Sequence, residues 1–200
     1  MKYSFLLLCS CFIQTIVTAQ LGLGLKAGLN FANVTSTAGI STSNKTGYMI
    51  GAYLGARPKK LFGFRSELIL SRQGYDYKTN TNTGQVNLDY LLLPQIITLN
   101  FGKKIQLHAG GQAAFLLNAG VDSTSGNSSG SLFDYFKRFD YGVVAGAEIS
   151  PISGFFIGGR INVSFADANE EAPIGGNWPN FIPRLSAKNN VVQLYAGWRF

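Results

Sequence analysis

Cysteine and charge are both scarce in this chain of 200 residues. The two cysteines, Cys9 and Cys11, lie close to the N-terminus, so the rest of the chain offers no disulfide framework, no thiolate metal site and no cysteine nucleophile. Charged residues make up 14% of the sequence, against about 25% in an ordinary soluble domain. The net charge of +7 comes from scattered lysines and arginines without interleaved aromatic residues, which gives nucleic-acid binding little support.

Long hydrophobic runs are also lacking. One apolar stretch, from Phe5 to Val17, follows Lys2 and ends at the small-residue site Val17-Thr18-Ala19. It is shorter than the ~20 residues that a membrane-spanning helix needs, so residues 1–19 are predicted to be a secretory signal peptide and residues 20–200 the mature domain. A retained membrane helix and lipidation at Cys11 are the alternatives at this end of the chain.

Glycine, aromatic residues and strict alternation are what the chain has in abundance. Apolar and polar or small residues alternate with a period of two in successive segments, which predicts strands and excludes amphipathic helices. Eight strands are expected, of which the fourth is the least regular, at residues 21–33, 47–57, 62–77, 85–101, 105–117, 139–149, 155–165 and 191–200.

Long and short connections alternate between these strands. Long ones fall at residues 34–46, 78–84, 118–138 and 166–190, and short ones at 58–61, 102–104 and 151–154. This asymmetry, together with a final amphipathic strand that stops at Phe200, is typical of bacterial outer-membrane barrels. The sequence therefore predicts an all-β fold, an eight-stranded antiparallel transmembrane up-and-down β-barrel, in the outer membrane of a Gram-negative bacterium.

Aromatic residues on the predicted outward face cluster at the two ends of the strands, like the girdles of such barrels. The expected girdle at the short turns is Phe62, Phe64, Phe101, Phe155, Trp198 and Phe200, and the one at the long loops is Phe31, Tyr48, Tyr90, Phe115, Tyr141 and Phe165. Within the fourth strand Pro94 lacks an N–H donor, so a bulge or a non-bonded site is expected there.

Charged residues on the opposite face are expected to point into the lumen. An eight-stranded barrel has an interior just wide enough to be filled by side chains, so these residues predict a cross-lumen ionic network and negligible passive diffusion. The network residues are Lys26, Arg65, Glu67, Glu148 and Arg160. A soluble barrel of lipocalin or avidin type is the competing interpretation, and it would turn the apolar face inward.

Candidate chemistry is sparse. His108 is the single histidine and has no serine or cysteine at a nucleophile spacing, and the acidic residues of the loops lack the spacing of a calcium site. We therefore expect no catalytic residue, no cofactor and no metal. In the last long loop, Trp178, Phe181 and Ile182 are apolar groups on a polar segment, which indicates either a partner contact or packing on the barrel rim.

Four segments carry a family resemblance: Lys26-Ala-Gly-Leu-Asn-Phe-Ala-Asn33, Gly63-Phe-Arg-Ser-Glu-Leu-Ile-Leu-Ser-Arg-Gln-Gly74, Leu88-Asp-Tyr-Leu-Leu-Leu-Pro94 and Phe139-Asp-Tyr-Gly-Val-Val-Ala-Gly-Ala-Glu148. Their order and spacing resemble the strands of the PorT-like outer-membrane barrels of Bacteroidota. One member of that family is associated with export of surface proteases by the type IX secretion system, and most have no assigned activity.

The functional expectation follows from the barrel and the resemblance together. We expect a monomeric, non-enzymatic protein with outer-membrane lipid around it, a structural or surface-interaction role in the envelope, and an envelope or secretion-system protein as the partner of its extracellular loops. No nucleic-acid partner is expected. A narrow small-solute pore, an outer-membrane lipid-modifying enzyme and a soluble ligand-binding barrel are the alternatives.

Overall fold

The computed structural model describes residues 21–34, 41–58, 60–78, 83–123, 130–131, 137–165 and 189–200. The strands are β1 (Leu21–Val34), β2 (Ser41–Ala56), β3 (Phe62–Lys78), β4 (Thr83–Phe101), β5 (Ile105–Ser123), the two-residue β6 (Gly130–Ser131), β7 (Phe139–Ile149), β8 (Phe155–Ser164) and β9 (Asn189–Arg199). The predicted signal peptide and the apolar loop residues Trp178, Phe181 and Ile182 lie outside the described residues. Within those ranges no helix is long and apolar enough to cross a membrane.

The eight long strands close into one antiparallel ring. Each long strand pairs with its neighbour in the chain, and β1 pairs with β9 from Gly24↔Arg199 to Val34↔Asn189. The short β6 adds only two pairs to β5, at Gly120 and Val121. The predicted closure between the first and last strands is confirmed, and it leaves no unpaired edge in the ring of long strands.

The two faces of the ring differ as the alternation predicts. On β1 the outward Leu25 is 50% exposed while the neighbouring inward Lys26 is only 2% exposed. On β9 Leu194 and Trp198 are likewise outward, and Gln193 is fully buried. The competing soluble barrel is wrong, because it requires the apolar face to be inside.

Several predicted strand limits change at the end that carries the long loops. β2 begins at Ser41 and not at residue 47, β4 at Thr83, and β5 continues to Ser123 through what was predicted to be loop. Residues 41–46 and 118–123 are mostly polar or small and show no apolar alternation. Backbone pairing continues there without an apolar face, so periodicity could not reveal these extensions.

Tyr90 is the one correction to the predicted girdles. It was expected to point outward, but it is 4% exposed and faces the lumen. The side chains of β4 alternate regularly between buried and more exposed positions. The middle of the strand nevertheless has apolar residues on both faces: Leu88, Leu92 and Ile96 point inward, and Leu91 and Ile97 point outward. Since the pattern of residue types does not alternate, the direction of Tyr90 could not be read from it.

Pro94 interrupts pairing without shifting the register. The β3–β4 ladder stops at Ser66↔Gln95 and resumes at Ile69↔Leu92 with the same alignment. This is the expected non-bonded site, and no bulge accompanies it. The bulge in this part of the sheet lies instead between β4 and β5, where Asp89 pairs with Asn118 and the next pair is Tyr90↔Leu116, which leaves Leu117 as the extra residue.

Gly28 lies at the closest approach of β1 to β9. A Cβ atom added there would meet the Leu194 carbonyl oxygen at 2.1 Å and the Tyr195 Cα at 2.7 Å. We expect Gly28→Ala to lower the free energy of unfolding by about 1–3 kcal/mol, because backbone at that distance has to move. Gly111→Ala is the matched control, since no atom lies within 4 Å of its added Cβ.

Urea unfolding of both glycine variants in lipid vesicles, followed by tryptophan fluorescence, measures this difference. Equal stabilities of the two variants would show that the β1–β9 contact is looser than the structure describes.

Candidate functional site: an ionic network in the lumen

The five predicted lumen residues come together in one buried cluster near the turn end of the barrel. Lys26 comes from β1, Arg65 and Glu67 from β3, Glu148 from β7 and Arg160 from β8. Their side chains are all at most 4% exposed. Antiparallel register puts these positions at similar heights, and strand alternation turns them all inward.

Glu67 is the centre of the cluster. Its Oε2 atom lies 2.6 Å from Lys26 Nζ and 2.6 Å from Arg160 Nη1, and its Oε1 atom lies 2.9 Å from Arg65 Nε. One carboxylate therefore contacts three cations from three different strands.

Arg65 links this centre to the second carboxylate. Its Nη2 and Nη1 atoms donate to the two Glu148 oxygens at 2.6 Å and 3.0 Å, a bidentate arrangement that fixes both side chains. The Tyr195 hydroxyl donates to Glu148 Oε1 at 3.0 Å, and Arg199 Nη2 lies 3.7 Å from Glu148 Oε2. Four cations are thus arranged around two carboxylates.

Aromatic rings fill the space between the charges. Lys26 Nζ lies 4.6 Å from the centre of the Tyr195 ring, and the Arg65 guanidinium carbon lies 4.6 Å from the centre of the Tyr53 ring. Phe156 is fully buried and packs edge-on against both tyrosines. Such contacts stabilise buried cations that have given up their hydration.

Amide side chains extend the network around the barrel wall. Arg160 Nε donates to Gln193 Oε1, and Gln193 Nε2 donates to Asn30 Oδ1 at 2.7 Å. On the other side Arg65 Nη1 donates to Gln106 Oε1 at 3.1 Å. The sequence prediction named only the charged members. Strand alternation also turns the tyrosines and amides inward, but which partners they contact depends on their rotamers.

Two spaces of very different size lie on the two sides of this cluster. Towards the loop end there is a cavity of about 20 Å³, room for one or two water molecules. It is bordered by Gln112, Asp140, Asn162 and Ser164 on one side and by Tyr90 and Leu92 on the other. Towards the short turns the lumen opens into a mouth of about 520 Å³. The charged cluster lies between the two spaces.

His108 is buried on the lumen face, and neither ring nitrogen has a hydrogen-bond partner within the described part of the chain. A general base needs a proton donor within reach and a group that orients its ring. No three His, Cys, Asp or Glu side chains among the described residues are grouped to hold a metal ion.

A closed ring of eight strands with an apolar outside and an ionic interior defines an outer-membrane β-barrel protein. The chain belongs to the outer membrane protein beta-barrel domain family, whose model matches residues 14–170. It is therefore a protein of the outer membrane of a Gram-negative bacterium. In barrels of this class the short turns face the periplasm.

Among the solved structures that share the fold are Ail and a neisserial surface protein. The Ail attachment invasion locus protein of Yersinia pestis, solved with the heparin analogue sucrose octasulfate, has a TM-score of 0.53 and 16% identity, over 90% of this chain and 99% of that one. Neisserial surface protein A has a TM-score of 0.51 and 14% identity, over 89% and 97%. No curated protein sequence matches the chain. At these identities the likeness concerns the fold alone.

Proposed function

We propose that this protein is a closed, non-enzymatic barrel that displays its long loops at the cell surface for contact with another envelope or surface macromolecule. The observation that carries the proposal is the ionic cluster around Glu67, which fills the lumen. Since the interior is occupied by interlocked side chains, the barrel anchors the protein in the membrane and holds its loops at the surface. The loops then provide the contacts with the other macromolecule.

The blocked lumen argues against a pore. An ion moving through would have to separate Glu67 from Lys26 or Arg160, and both contacts are 2.6 Å long and fully buried. Breaking a buried pair leaves an uncompensated charge, which costs about 3–5 kcal/mol for each partner removed.

A narrow small-solute pore is the second candidate. The observation in its favour is that a space lies on each side of the cluster, so the ionic residues with their aromatic and amide neighbours lie between the periplasmic mouth and the cavity at the loop end. A coordinated rotation of Arg65 and Glu148 would be needed to join them.

Conductance distinguishes the two candidates. We expect the purified protein in a planar lipid bilayer to show no stable conductance steps, because the cluster leaves no continuous water path through eight strands. A wide trimeric porin treated in the same way is the positive control. Reproducible steps that disappear when the lumen is crosslinked would favour the pore.

The family comparisons fit a role at the surface. Two structures with the same fold are described as an attachment invasion locus protein and a surface protein, and the first was solved with a sulfated saccharide. The resemblance to PorT-like barrels adds a secretion component as a partner class. Both are consistent with the proposed contact of the extracellular loops.

Deletion of residues 173–183 tests the surface contact. This segment carries Trp178, Phe181 and Ile182, for which a partner contact is one of the two interpretations. We expect the deletion to abolish recovery of at least one protein or polysaccharide from outer membranes crosslinked around the intact chain, with the unfolding midpoint of the barrel unchanged. Identical recovery from both chains at equal stability would contradict the surface-contact proposal.

A further inference from the structure

The charged side chains around the periplasmic mouth of the barrel are all cationic. It is a concave space of about 520 Å³ bordered by the three short turns and the end of β9. Its charged side chains are Arg57, Lys103, Lys104 and Arg199, and no Asp or Glu borders it among the described residues. Four cations that converge on one cavity produce a positive potential which a low-dielectric wall focuses.

The rim of this mouth is held by backbone hydrogen bonds between neighbouring turns. Ser150 N donates to the Lys104 carbonyl at 2.7 Å, and Arg199 N donates to the Gly154 carbonyl at 2.7 Å. Asn100 N donates to the Leu61 carbonyl at 2.7 Å on the other side of the ring. The backbone that carries the cations is therefore already ordered, which reduces the conformational entropy lost when a ligand binds.

Arg199 forms the floor of the mouth and has charge available for a ligand. Its side chain is 15% exposed, and its nearest carboxylate oxygen is Glu148 Oε2 at 3.7 Å. Glu148 is already held by Arg65 at 2.6 Å and 3.0 Å. The Arg199 Nε atom donates to the Tyr53 hydroxyl at 3.1 Å, which keeps the guanidinium at the bottom of the cavity.

We propose that this mouth binds an acidic polypeptide segment of a periplasmic partner. A volume of about 520 Å³ accommodates a few side chains, a size typical of ligand pockets. Carboxylates match the four cations in charge, and a segment with several carboxylates can contact more than one of them at once.

Lipid is a poorer fit than peptide. The groups that meet the membrane at this end, Leu61, Phe62, Phe101 and Ile105, project from the outside of the ring. The mouth is bordered mainly by the turn residues and Arg199, and only Ile152 and Phe200 among its lining residues are exposed large apolar side chains. This proposal goes beyond display of the outer loops, because it gives the protein a second contact on the other side of the membrane.

Binding of an acidic probe tests the proposal. The full chain is placed in nanodiscs of zwitterionic lipid, and a fluorescent peptide of eight glutamates is titrated at low ionic strength by anisotropy. We expect saturable binding that weakens as salt rises, and no binding of a Gly-Ser peptide of equal length. The variant Lys103→Glu with Lys104→Glu is expected to weaken binding about tenfold or more.

The charge-matched control is Lys137→Glu with Arg138→Glu, which makes the same change at the outer end of the barrel. We expect it to alter peptide affinity by less than about twofold, since the apolar layer of about 25 Å keeps the exchanged residues out of contact with a peptide at the mouth. Equal loss in both variants, or no loss in the mouth variant, would overturn the proposal. It would also be overturned if the intact chain enriched phosphatidylglycerol from mixed-lipid nanodiscs, the mouth variant did not, and neither bound the peptide, because the mouth would then belong to lipid headgroups.

Discussion

Replacing Glu67 by glutamine is expected to lower the free energy of unfolding by about 3–5 kcal/mol. The side chain keeps its shape, but Lys26, Arg65 and Arg160 lose the carboxylate that all three contact. Three buried cations would then share Glu148 alone. The penalty comes from uncompensated charge in a dehydrated lumen, so it exceeds what the loss of one hydrogen bond would give.

Urea or guanidinium unfolding in lipid vesicles measures this change, and Asp89→Asn is the control. Asp89 and Arg72 also form a bidentate pair, with distances of 2.6 Å and 2.9 Å, but their side chains are 23% and 41% exposed. Such a pair contributes about 0–1 kcal/mol. Adding Lys26→Met to Glu67→Gln should restore part of the stability, because it removes one of the unpaired cations. Similar losses for Glu67→Gln and Asp89→Asn would mean that water reaches the cluster.

Arginine on the lipid face gives the second large effect. We expect Ile161→Arg, and Val143→Arg on the neighbouring strand, to lower the free energy of unfolding by about 2–4 kcal/mol, as at the midplane of other outer-membrane barrels. Ile161 pairs with Ala145 on β7 and with Val192 on β9, so its outward side chain lies between two apolar neighbours. The guanidinium would have to bend towards the interface or draw water into the apolar layer.

Ile152→Arg provides the matched control for the lipid face. Ile152 lies in the turn between β7 and β8 and is exposed. An exchange to arginine near the membrane interface costs about 0–1 kcal/mol of unfolding free energy. Refolding the three variants from urea into vesicles of defined thickness and comparing their unfolding free energies measures the difference. Equal values for Ile161→Arg and Ile152→Arg would place the bilayer elsewhere along the strands.

The strands, their faces and the closure of this barrel could be predicted from strand alternation. On β1 and β9 every second residue is apolar, so the sequence specifies strand, face and closure together. The inward direction of Lys26, Glu67 and Arg160 follows from the same parity.

What could not be predicted depends on interactions without a periodic signal. β4 carries apolar residues on both faces, which concealed the direction of Tyr90. The extra residue Leu117 has no motif, because any residue can occupy a bulge of this kind. Glu67 is the shared partner of three cations because these side chains lie at one level of the lumen and adopt suitable rotamers. The contacts join residues 41 and 93 positions apart, so no local pattern in the sequence shows them.

Those long separations couple the neutralisation of charge to the closing of the ring. Glu67 comes from the third strand, and its partner Arg160 lies 93 residues further along the chain. Arg65 meets Glu148 across 83 residues. A hairpin that entered the membrane before its partners would carry these charges unpaired, so they must stay in water until the last strands arrive. Membrane insertion and ring closure are therefore expected to occur as one slow, cooperative event, limited by delivery of the C-terminal strand.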